Sequence, residues 1–145
     1  MSLRDWAQSS WLAEHESSPE EIRNLLGLAD RDLHTSALKD LNADWKFAIA
    51  YNAALQAATA ALAAAGYRAA RDSHHFRVIG SLEFTVQANP KLIREFDAFR
   101  KKRNVSSYEM AGAISDKEAE EMRQLANTLR ALVERWISEK HPELK

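Results

Sequence analysis

Residues 42–66 read NADWKFAIAYNAALQAATAALAAAG, and this stretch decides the fold. Twelve alanines lie between Ala43 and Ala65, and alanine favours a helix because it loses no side-chain rotamer freedom there. Phe47, Tyr51, Leu55, Ala58 and Leu62 recur at three- and four-residue steps, the period of one helix face. Gly66 then leaves the helix as its C-cap. So many small side chains let neighbouring backbones approach closely, which suits a central bundle helix or one buried at a dimer seam. Lys46, Asn52 and Gln56 interrupt the apolar run, so a membrane span is the weaker reading.

Helix signals flank this segment on both sides. Ser18-Pro19-Glu20-Glu21 joins an N-cap serine, a first-turn proline and an acid at N3, ahead of Ile22, Leu25, Leu26, Ala29 and Leu33 in helical register. A polar connection over residues 66–73 leads to a helix expected from His74 to Gln87, with Ile79, Leu82 and Val86 inside. Asn89-Pro90 launches the next helix, whose apolar face is Leu92, Ile93, Phe96 and Phe99. Met110-Ala111-Gly112-Ala113 reads as a loop. Ser115-Asp116-Lys117-Glu118 is a capping box, opening an amphipathic helix to about Ser138 with Ala119, Met122, Leu125, Ala126, Leu129, Leu132, Val133, Trp136 and Ile137 as its apolar residues. Residues 2–16 suit a short amphipathic helix in which Leu3, Trp6 and Trp11 share a side, an arm docked on the body or on a second subunit. No strand pattern of any strength occurs. The expectation is an all-α single domain spanning 1–145: an up-and-down antiparallel bundle of four to five helices, its core about 20–138, with residues 1–16 as a helical arm.

Composition bounds the function. A chain of 145 residues that is 46% hydrophobic can bury a sizeable core as one domain. Its 20 basic and 21 acidic side chains give a formal charge of −1, which argues against a dedicated polyanion-coating protein and leaves room for a local cationic patch. Cysteine is absent, which removes disulfides, thiolate metal sites and a cysteine nucleophile. The amino end carries charges throughout and no apolar h-region, so the cytoplasm is the default compartment.

That local patch lies in residues 96–108, FDAFRKKRNVSSY. Phe96, Phe99 and Arg103 fall at i, i+3 and i+7, which turns the arginine inward, toward a buried carboxylate, a carbonyl or a bound anion. Arg100, Lys101 and Lys102 beside it form the candidate anion- or RNA-binding cluster, although cations late in a helix also complement its dipole. Asn104, Val105, Ser106 and Ser107 compete for backbone hydrogen bonds and are expected to bend or end the helix. In an unbroken helix Arg103 and Tyr108 stand about 140° apart. His74 and His75 are adjacent and point about 100° apart, with no further ligand four positions on, so a capping or structural role is favoured over a metal site. No metal and no cofactor is implied, and no glycine-rich phosphate loop or nucleophile motif occurs.

Trp45 and Tyr51-Asn52-Ala53-Ala54-Leu55 on the Ala-rich helix, the Gly66-Tyr67-Arg68 exit, His74-His75 opening a helix, and Arg103-Asn104 followed by Tyr108 resemble the HEPN superfamily. The resemblance spans approximately residues 20–138. It implies a helical bundle that dimerises, a toxin–antitoxin or phage-defence setting, RNA or a nucleotide as ligand, and a nucleotidyltransferase-like protein as partner. Many members are metal-independent ribonucleases whose motif is an arginine followed, after four to six residues, by a histidine. Carried over, the motif assigns Arg103, Asn104 and Tyr108 as the catalytic set, with tyrosine where the family has histidine. A phenol with a pKa near 10 is a poor general base, yet it donates to phosphate and stacks on bases. The expectation is therefore RNA or nucleotide binding ahead of turnover. The alternative is a non-catalytic protein-interaction module in which Arg103 organises the bundle.

Overall fold

The computed structural model describes the backbone of residues 1–108 and 114–145 and the side chains of 1–104 and 114–145. Among the described residues the elements run α1 (Leu3–Gln8), β1 (Leu12–Glu14), α2 (Pro19–Ser36), α3 (Ala43–Ala64), β2 (Tyr67–Ala69), α4 (His74–Gly80), α5 (Pro90–Tyr108) and α6 (Asp116–Lys140). Short 3-10 turns follow α4 and α6. The protein is an all-α bundle with one small ribbon.

Local chemistry sets the ends of the long helices. Ser18 Oγ accepts from Glu21 N at 3.1 Å with Pro19 at the first helical position of α2, and Asn42 Oδ1 accepts from Trp45 N at 3.1 Å to start α3. Gly66 follows the end of α3 at φ 96°, a left-handed backbone that a Cβ would strain. Ser115 and Glu118 exchange the two bonds of a capping box at the head of α6.

Contacts between helices fix their directions. Arg130 of α6 reaches Asp30 of α2, while the lower-numbered Arg123 reaches Ser36, so α2 and α6 are antiparallel. Tyr51 meets Phe96 and Phe47 meets Phe99, which makes α3 and α5 antiparallel too. α3 packs along both α2 and α6 as well as against α5. That central place depends on size: Ala50, Ala53, Ala54, Ala57, Ala58, Ala60 and Ala61 are all buried to within 1%, and their methyl groups let three neighbours come close. α3 is also the one described helix long and apolar enough to span a bilayer, but 67% of its apolar window is covered by the rest of the chain.

Two local expectations need correction. The amino-terminal segment is helical only over Leu3–Gln8; Leu12–Glu14 then forms a strand antiparallel to Tyr67–Ala69, with Leu12 opposite Ala69 and Glu14 opposite Tyr67. So small a ribbon is marginal alone. It is held because Leu12 and Ala69 are buried and Trp6 packs edge-on to Trp11 and Phe84, with ring centroids 5.7 and 5.2 Å away. The helix from His74 does not reach Gln87 but gives way after Gly80 to a 3-10 turn. Trp6 occupies the space beside Gly80, where a Cβ would stand 3.0 Å from Trp6 Cη2. Ile79, Leu82 and Val86 are nonetheless buried as the spacing requires.

Candidate functional site

Phe96 is fully buried and its ring meets the edge of Tyr51 with centroids 5.7 Å apart. Two turns on along the same face of α5, the Arg103 guanidinium lies over the Tyr51 ring, 5.0 Å from its centroid. The inward heading inferred from the spacing holds: Arg103 is half-buried, on the aromatic face of α3. Such a cation–ring contact contributes about 0.5–2 kcal/mol, more as water is excluded.

Behind that ring stands a group that the sequence reading set aside. Tyr51 Oη and His75 Nδ1 are 3.1 Å apart. Burial pushes the Tyr51 phenol up to about 12, against the lowering pull of Arg103 and Arg100, so it keeps its proton at neutral pH. His75 is lowered from its ordinary value, first by burial and then by His74, Arg103 and Arg100. It is therefore a neutral imidazole at neutral pH, with Nδ1 engaged in the bond to Tyr51. Ser73, at φ 55°, turns the chain into α4 and puts both histidines in its first turn, their ring centroids 5.8 Å apart.

The cations around Arg103 are less available than their density suggests. Arg100 Nε donates to Asp97 Oδ1 at 2.7 Å, and Lys101 Nζ lies 3.6 Å from the other oxygen of that carboxylate. Lys102 Nζ is 3.1 Å from Glu118 and ties α5 to the head of α6. Glu118 is held below the usual carboxylate range, chiefly by the Ser115 backbone bond and then with help from Lys102. Asn104 is exposed on the last described turn of side chains. α5 runs on through residues 104–107 to Tyr108 rather than breaking there, and the Tyr108 side chain lies outside the described residues, as does the loop expected over 110–113.

Arg103, Tyr51, His75 and Arg100 thus converge from three helices, with Phe76 beside them 5.4 Å from the Arg100 guanidinium. The outward-facing groups are mostly hydrogen-bond donors, which suits an anion. They suit proton abstraction poorly, since one nitrogen of the His75 ring is already engaged by Tyr51. No sequence signal pairs Tyr51 with His75, which stand 24 residues apart on different helices.

His75 gives the site a pH dependence with a definite sign. Its folded-state pKa is below the ordinary value, so the unfolded chain takes up the proton first; this stability is complete above about pH 6.5 and is lost as pH falls below it. The drop in melting temperature between about pH 7 and about pH 5 should be smaller for His75→Gln than for wild type by circular dichroism. Equal drops would show that His75 is not held neutral.

Comparison of the chain with family models, with curated proteins and with solved structures finds no match.

Proposed function

We propose that this chain is a HEPN-like cytoplasmic homodimer that binds the phosphate of RNA or of a nucleotide at Arg103, in a toxin–antitoxin or defence setting with a nucleotidyltransferase-like partner. The observation that carries the reading is the half-buried Arg103 guanidinium laid on Tyr51, next to a neutral His75 and to Arg100. A guanidinium held flat by a ring loses little further freedom when it pairs with phosphate, and its planar fork fits two phosphate oxygens. Arg100 adds charge within the same cluster, and Asn104 supplies an exposed amide next to it. Binding is favoured over turnover because the groups nearest Arg103 are mainly cationic and Nδ1 of His75 is already engaged by Tyr51.

The cation–ring contact also supports the second reading, in which Arg103 only organises the bundle. The affinity of a fluorescent single-stranded RNA for wild type, Arg103→Ala and Arg103→Lys at two salt concentrations separates the two. Phosphate binding predicts that Arg103→Ala weakens binding about tenfold or more and flattens the salt dependence, with Arg103→Lys in between. Equal affinities for all three, alongside a lower melting temperature for Arg103→Ala, would favour the structural role.

A further inference from the structure

A cavity of about 270 Å³ lies between α4 and α5, next to the Arg103 cluster, with Trp6, Phe76, Ile79 and Ile93 among its lining residues. Two of its lining residues also touch Arg100: the Phe76 ring is 5.4 Å from the guanidinium, and Asp97 accepts from Nε at 2.7 Å. Phe76 is 43% exposed, whereas Val78 and Ile79 on the same short helix are buried, so its ring is not consumed by the core.

We propose that this cavity takes the purine base of the nucleotide whose phosphate sits at Arg103 and Arg100, an inference that rests on the anion-binding reading above. Size is the first argument. Pockets for drug-sized ligands run from about 300 Å³ upward, and a cavity of about 270 Å³ admits a single base. Chemistry is the second: a nucleobase is a flat ring with apolar faces and polar edges, and it stacks on aromatic side chains. Phe76 supplies an exposed ring, while Glu83, also lining the cavity, presents a carboxylate suited to accept from the exocyclic amine of adenine or guanine. Arg77 and Arg94 line the cavity as well, so its two acidic and two basic side chains balance, and four charged groups are wasted on a lipid tail. Position is the third, because Phe76 and Asp97 of the cavity wall touch Arg100 of the cationic cluster, so a base and its own phosphate can be held together.

Calorimetric titration of the full chain with adenosine monophosphate and with ribose 5-phosphate tests the inference. Wild type should bind the monophosphate roughly tenfold or more tightly than the sugar phosphate, the size expected for one stacked base. Phe76→Ala should erase that advantage while leaving ribose 5-phosphate unchanged, and Phe76→Trp should keep it. The exposure of Phe76 makes both variants compatible with folding, which circular dichroism checks. A short single-stranded oligoadenylate that binds more tightly than the monophosphate identifies RNA as the source of the base; equal affinity identifies a free nucleotide. Equal binding of monophosphate and sugar phosphate, both weakened by Arg103→Ala, would overturn the base site and leave the anion reading standing. Absence of binding by either probe would remove both.

Discussion

Replacing Tyr51 by alanine is expected to destabilise the protein by about 3–5 kcal/mol, the range for deleting a large buried aromatic. Tyr51 has no exposed surface. Its ring meets Phe96 at 5.7 Å and carries the Arg103 guanidinium at 5.0 Å, and its hydroxyl reaches His75 at 3.1 Å. Alanine removes all three contacts and leaves a cavity against α5 that a packed bundle fills only in part. For a domain of this size the loss corresponds to a fall in melting temperature on the order of 10 °C. Tyr51→Phe keeps the ring and gives up only the hydroxyl bond, for about 1 kcal/mol. Denaturant unfolding of both variants checks the comparison. Similar losses for the two would mean that the ring does not hold α3 to α5.

The second large effect is expected from Ala60→Leu. Ala60 is fully buried, one helical turn beyond Gln56, whose amide donates to Asp32 Oδ2 of α2 at 3.2 Å. It therefore lies on the row of α3 that faces α2. Added carbons there force the two backbones apart or push side chains off their rotamers, at a cost of about 1–3 kcal/mol and more where neighbours cannot move. The same change at Ala48, only half-buried, should cost much less. Melting curves of the two variants should differ by several degrees. Equal curves would contradict close packing as the reason for the alanines.

Most of the architecture was legible because helix signals are local. The Ser18-Pro19 and Ser115–Glu118 caps and the Gly66 exit each sit within one turn of the boundary they set. Where tertiary contacts decide, the reading failed. Nothing in residues 74–87 announces that Trp6 will lie against Gly80, and three-residue strands are too short to display alternation. The competition for backbone hydrogen bonds expected of residues 104–107 did not end α5. The candidate site divides in the same way. Arg103's inward heading follows from its register with Phe96 on one helix. Its neighbours Tyr51 and His75 come from two other helices, and their meeting is a product of how α3, α4 and α5 cross. His75 therefore looked like half of an idle pair until the fold placed it against the phenol.

Side-chain nuclear magnetic resonance of Arg103 Nε–H and of the His75 ring during titration with inorganic phosphate tests anion binding most directly. A phosphate seated on the guanidinium predicts a saturable shift of both signals that Tyr51→Phe alters, with no shift at Arg23, which is exposed on α2. Signals at Arg103 and His75 that stay fixed, or that drift no more than Arg23 does, would contradict it.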